Sequence, residues 1–367
     1  MHRMEATLVH ATSQQTRASL LHRYDPDGPI TLPQHIERAD VLGKLSYAHN
    51  KQLYWALVPA GNPITEEILS TVSTIVRKVL IQGTGESPAP SSHTAFSITH
   101  VYTPKELRKK GYATKMMALL HGQISTPSSR YNTQKEQDGV TPVETYPTGI
   151  LSFLYSGVGD FYSRCGDPGW HIQTSTEVYW DVESVLSHSP DHGKVDYLTE
   201  DDFVRVAQRD ALLLTEELTT RARNNQPQAF AVLPTGEEFA WLVARSRFYG
   251  KILSPVPLPM HWGIQLDDNN FAIWFIDYTK HELQFLRTRC VDGKKLMVMV
   301  HAAAIVAKQQ GCQKILAWNL NERLLDESKL CGVDVMAQPR RKNLAAVAWY
   351  GSGSCPAWIT SEKYGWC

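Results

Sequence analysis

A run rich in β-branched and aromatic residues, TAFSITHVY (Thr94–Tyr102), stops at Pro104, and beyond it Tyr112, Met116, Leu119 and Leu120 recur at helical spacing. A strand that feeds a helix through so short a link commits this part of the chain to an α/β layer, because the helix must bury its apolar stripe on the sheet it has just left. LYWALVP (Leu53–Pro59) and ILSTVSTIVRKVLI (Ile68–Ile81) read as strands before the junction. GILSFLYS (Gly149–Ser156) and STEVYWDV (Ser175–Val182) read as strands after it, with a short helical stretch, GDFYSRCG, between them. The order predicts an α/β fold with a mixed sheet and flanking helices.

At 367 residues, and about 150 residues per domain, two domains are expected. SHSPDHGKVD (Ser187–Asp196) interrupts the apolar periodicity and sets the boundary near residue 190, giving domains 1–190 and 191–367. The second half opens on a Thr199–Asp202 capping pair and a long helix, then runs FAIWFIDY, ELQFLRTR, KKLMVMVHAAAIVAKQQ and QKILAW. That strand, strand, helix, strand order repeats the first half, so a second α/β domain is expected and a degenerate duplication is one reading of it. GTGESPAPSSHT (83–94) and the polar stretch 122–149 read as loops, the longer one a surface insertion or a lid. Trp241, Trp262, Trp274 and Trp318 of the second half read as core or pocket lining.

Lys plus Arg and Asp plus Glu both number 37, so the formal charge is zero and no global field draws the chain to nucleic acid or to a membrane surface. Any anionic ligand must be held by a local site. The N-terminal residues lack a signal-peptide pattern and no run of about 20 apolar residues occurs, so a cytoplasmic location is expected. The six cysteines contain no C-x-x-C pair, and they read as reduced thiols with no metal site among them.

The local site lies at the strand-to-helix junction, where Arg108, Lys109, Lys110, Gly111, Tyr112 and Ala113 spell R-x-x-G-x-A. A helix's first turn points free amides outward and carries partial positive charge, and small residues there let an anion reach the backbone. With Lys105 and Lys115 nearby, this is a cradle for a pyrophosphate and a further phosphate. A solvated basic helix start is the bland alternative.

R-x-x-G-x-A after a strand ending in V-Y-T-P, with F-Y-S-R following a second strand, resembles the GNAT family of acyl-CoA-dependent N-acyltransferases. THVYTPKELRKKGYATKMMALLH, FLYSGVGDFYSRCG with a following Gly-Trp, and EKYGWC are similar to the fungal lysine N6-acetyltransferase family, over almost the whole chain. The resemblance implies acetyl-CoA as cosubstrate, bound at its pyrophosphate by residues 108–113 and along its pantetheine arm by the backbone of Val101, Tyr102 and Thr103. It implies that Tyr162 protonates the departing thiolate. A phenol near pKa ~10 suits that task, although packing beside Phe161 is its bland alternative. His100, an imidazole near pKa ~6.5, is a candidate base for the acceptor ammonium, with a structural histidine as the other reading. Strand alternation puts His100 and Ile98 on one face, opposite Thr99 and Val101.

The acceptor implied is a small-molecule amine, free lysine first. Lys109 stands where the family has Gly, and Gly157 and the stretch Cys165–Trp170 depart from its pattern near the expected acceptor pocket. A specialised-metabolite amine is therefore the second reading and a non-catalytic acyl-CoA-binding module the third. In the second half the turn CVDGKK lacks R-x-x-G-x-A, so no second cofactor site is expected there. Oligomeric state is not readable from the sequence.

Overall fold

The runs 52–59 and 70–81 of the first half leave few positions exposed because both faces of the sheet they form are covered. The structure, a computed structural model, describes residues 5–125, 147–188, 195–329 and 332–366. In chain order the strands are β1 (Ala6–His10), β2 (Gln52–Pro59), β3 (Ser70–Ile81), β4 (Ser91–Tyr102), β5 (Leu151–Ser156), β6 (His171–Ile172), β7 (Thr176–Asp181) and β8 (Asp196–Leu198). They continue with β9 (Ala229–Val232), β10 (Gly263–Asp267), β11 (Asn270–Asp277), β12 (Glu282–Arg289), β13 (Lys314–Trp318), β14 (Met336–Pro339), β15 (Leu344–Trp349) and β16 (Ala357–Trp358). The helices are α1 (Ser13–His22), α2 (Leu32–Gly43), α3 (Tyr112–Ile124), α4 (Val182–Leu186), α5 (Phe203–Arg223), α6 (Glu237–Leu253), α7 (Gly293–Gln309) and α8 (Glu322–Lys329).

Two mixed sheets result. The first runs β1-β2-β3-β4-β5-β15-β6, with β9 on β3 and β16 on β9; the second runs β14-β7-β13-β12-β11-β10-β8. Sheet membership therefore crosses residue 190 in both directions: β7 lies in the second sheet, and β9, β15 and β16 lie in the first. The stretch 189–194 and most of the long polar stretch, 126–146, lie outside the described residues.

Helix α3 covers one face of the first sheet, packing Met116, Met117, Leu120 and Ile124 onto Phe96, Ile98 and Leu154. Leu119, expected on that stripe, is 38% exposed, and Met117 takes its place. The opposite face shares the larger core with the second sheet, where Phe153 and Val79 belong to one cluster with Trp180, Trp274 and Phe285. Trp262 and Trp274 are fully buried core residues. Helices α1 and α2 each begin on a T-x-x-Q capping box, Thr12 with Gln15 and Thr31 with Gln34, which satisfies first-turn amides and starts both helices cleanly. Among the described residues no helix is long and apolar enough to cross a membrane.

Candidate active site

Strands β4 and β5 pair in parallel from Ala95–Ile98 against Leu151–Leu154, and no pairing between them continues past that point. At the same level β4 bulges against β3, where Ser73 faces Thr99 but Thr71 faces Tyr102, so β4 carries one extra residue. His100 sits in the bulge with φ of 54°, a left-handed conformation uncommon for a residue with a side chain. The bulge breaks the expected alternation: Ile98, Thr99, His100 and Val101 all line one cavity, whereas regular pleating assigned them to opposite faces. At the strand's end the carbonyl of Tyr102 accepts from Ser70 Oγ at 2.8 Å, and that of Thr103 accepts from Arg108 Nε at 3.1 Å.

Gly111 is the N-cap of α3, with φ of 85° and no side-chain cap bond. The first amide with a helical partner is that of Lys115, bonded to the Gly111 carbonyl at 3.0 Å. The amides of Tyr112, Ala113 and Thr114 have no backbone acceptor among the described residues. A Cβ at Gly111 would meet nothing within 4 Å, so the space before those amides is open. Arg108, Lys109 and Lys110 are exposed around it. Lys109 has φ of 63°, which explains why glycine suits that position: lysine holds the left-handed turn at a cost of order 1 kcal/mol and still presents its amide. The group of orphan amides, open space and exposed cations fits a pyrophosphate.

The corresponding places in the second half are filled. Asp292 caps α7 through the Lys295 amide at 2.8 Å, and the Gly293 amide donates to Glu327 Oε2 at 2.9 Å. Beyond the short parallel pairing of β12 with β13 at Glu282–Gln284, the gap is taken by the 361–366 segment. There the Thr288 amide donates to Glu362 Oε2 at 2.8 Å, and Arg287 donates to the same carboxylate. Acidic side chains thus occupy the donors that an anionic cofactor would need.

The first-half cavity measures 460 Å³ and brings together His100 from β4, Tyr155 from β5 and Tyr162 from the 3-10 turn Phe161–Arg164. Burial pushes the Tyr162 phenol up to about 12, so it stays protonated across neutral pH. His100 is solvent-exposed where it opens on the cavity, with protein packed around the rest of it. That enclosure first, and then the cations Arg23, Arg38 and Arg245, hold its imidazole well below the usual range and keep it neutral. Trp241 and Trp366 close the cavity from the second half.

The turn that carries Tyr162 is clamped from behind. Trp170 is fully buried, stacks on His121 with centroids 4.0 Å apart, and donates to Ser152 Oγ at 3.0 Å. His121 bonds the Tyr350 hydroxyl at 2.9 Å and the Cys165 carbonyl at 3.1 Å. The Trp170 amide donates to the Tyr162 carbonyl at 3.1 Å. Neither Gly157 nor Trp170 lines the cavity itself; Trp170 lies behind it and positions the Tyr162 turn through the core. Sequence reasoning gave no role to Arg23, Arg38 or Arg245, and met Trp366 only as part of the EKYGWC motif. They come from α1, α2, α6 and residues 361–366, and only the two capping boxes signal that α1 and α2 exist at all.

In this fold two parallel strands part beside a bulge, and the bulged strand leads on to a helix whose start has no side-chain cap. The fold matches a GCN5-related N-acetyltransferase from Kribbella flavida at a TM-score of 0.53 and 13% identity, over 94% of this chain and 72% of that one. It also matches a conserved protein of unknown function from Enterococcus faecalis V583 at 0.54 and 12%, with the same coverage. Residues 180–367 match the family model described as LYC1 GNAT-like C-terminal domain, and the chain belongs to this family of GNAT acetyltransferases. A lysine acetyltransferase of Yarrowia lipolytica (strain CLIB 122 / E 150) is 26% identical over 314 residues, 79% of this chain and 75% of that protein. GNAT acetyltransferases draw their acetyl group from acetyl-CoA.

Proposed function

We propose that the protein transfers acetyl from acetyl-CoA to the primary amine of a small molecule, with free lysine the first acceptor to test. The observation that carries this reading is the shared cavity of His100 and Tyr162 at the parting of β4 and β5, on the strand whose chain leads into α3. The Tyr112, Ala113 and Thr114 amides, with Arg108, Lys109 and Lys110, would hold the pyrophosphate, and the backbone at Val101–Thr103 the extended arm. Bound there, acetyl-CoA supplies an activated thioester. His100 takes a proton from the acceptor ammonium, the freed amine forms the new N–C bond as the C–S bond breaks, and Tyr162 gives its proton to the thiolate. The lysine acetyltransferase relative supports lysine as acceptor. Mass spectrometry of products from acetyl-CoA with lysine and a panel of amines is the direct test, and absence of any acetylated amine would reject the reading.

Tyr162→Phe is expected to keep cofactor affinity and slow single-turnover acetyl transfer by about 10²-fold, the scale of one general acid. An unchanged rate would remove Tyr162 from the chemistry. If His100 is the base, the acid limb of the kcat profile lies below the ordinary imidazole value, since its shift is downward. His100→Asn should abolish that limb along with most of the rate; a limb that persists in the variant assigns it to another group.

A further inference from the structure

Three arginines line the cavity beside His100 and Tyr162: Arg23 where α1 ends, Arg38 on α2 and Arg245 on α6. Arg38 and Arg245 stand against the same ring, their Cζ atoms 5.5 and 5.2 Å from the Tyr249 centroid. Arg38 also donates to the Tyr249 hydroxyl and lies 3.2 Å from His35 Nδ1, and Arg23 donates to the Ser19 carbonyl at 3.2 Å. Among the described residues none of the three forms an ion pair with a carboxylate, and no Asp or Glu lines the cavity. Asp277 acts on Arg245 only from a distance. Among the described residues, the groups that line the cavity with His100 are neutral or cationic.

Such a cluster is costly while it stands alone. Partly desolvated cations repel one another, and burial with mutual repulsion holds Arg23 and Arg245 below the ordinary guanidinium range. Anions relieve that cost, and a guanidinium fork matches a carboxylate two bonds at a time. One carboxylate leaves part of a three-arginine cluster unanswered. A spare ammonium, such as the α-amine of lysine, would meet these cations with no lining Asp or Glu among the described residues to balance them.

We propose that the preferred acceptor is an amine bearing two carboxylates, selected by Arg23, Arg38 and Arg245 over monocarboxylate amines such as free lysine. Its place at the reaction centre rests on the acetyl-transfer reading above, but its anion recognition does not. Glutarate should therefore bind the coenzyme A-loaded protein at least about tenfold more tightly than butyrate, since one further charge-assisted contact is worth that much. Calorimetry reads this without turnover. Arg245→Met and Arg38→Met, each confirmed folded by thermal unfolding, should each erase the preference, with glutarate affinity falling further than butyrate affinity.

In turnover, Nα-succinyllysine and Nα-acetyllysine offer the same ε-amine and differ by one carboxylate. The succinyl compound should show a KM at least about tenfold lower, and Arg245→Met should remove that gain. Equal affinity for glutarate and butyrate overturns the proposal. A glutarate preference with no amine acetylated would retain the anion site and reject the acetyl-transfer reading; acetylation of lysine without any dicarboxylate preference would do the reverse.

Discussion

Gly111→Glu is expected to abolish coenzyme A binding in a protein that remains folded. The substitution places a carboxylate in the open space before the amides of Tyr112, Ala113 and Thr114, where a pyrophosphate would accept from them. Losing two charge-assisted bonds at about 1.5–3 kcal/mol each weakens binding at least about a hundredfold, before repulsion between the new carboxylate and the phosphates is added. At φ of 85° any side chain is strained by roughly 1–2 kcal/mol, so Gly111→Gln is the matched comparison. It carries the same strain and bulk without charge, and should retain more affinity than the glutamate variant. Calorimetric titration with coenzyme A, beside a thermal melt of each protein, separates the cases. Wild-type affinity in the glutamate variant would show that the cradle lies elsewhere.

Arg287→Met should cost about 3–5 kcal/mol of stability, the usual penalty for removing one member of a buried ionic group. Arg287 is 3% exposed at its side chain and donates to Asp210 at 2.6 and 2.9 Å and also to Glu362. Arg289 donates to Asp210 at 2.6 Å and continues to satisfy it in the variant, so the uncompensated charge falls on Glu362. Burial already pushes the Glu362 carboxyl up to about 7 against the pull of Arg287 and the Thr288 amide, which marks it as the vulnerable member. Urea unfolding should show the loss, and pairing Arg287→Met with Glu362→Gln should recover part of it. A loss below about 1 kcal/mol would mean that water reaches the cluster and screens it.

Much of the candidate site was legible because its determinants are local. Orphan amides, a left-handed glycine and a ring of cations all lie within Arg108–Ala113, and a strand-to-helix junction is readable from a change of period. The Thr199–Asp202 capping box precedes a 3-10 turn and then α5, in agreement with its sequence signature. The features that escaped are set by partners distant in sequence. The bulge at His100 is a mismatch between β4 and β3, which β4 alone does not encode. The Arg23, Arg38 and Arg245 cluster assembles from three helices, and each arginine in isolation reads as an ordinary surface cation. Trp170 was visible as a motif residue, but its role needed His121, Ser152 and Tyr350 to be seen around it. The short strands β9, β14 and β16 have too few residues to show a period at all.

The position of β15 governs the order in which this molecule can be made. Residues 344–349 hydrogen-bond to β5 along its whole length, from Leu344 opposite Ser156 to Trp349 opposite Leu151. Synthesis runs from the N-terminus at about 5–20 residues per second, so β5 emerges with one edge unpaired and waits tens of seconds for its neighbour. An exposed strand edge invites pairing with another nascent chain. The ribosome must therefore deliver nearly all of the polypeptide before the first sheet can close, and in the cell the yield of active enzyme depends on holding that edge apart until it does.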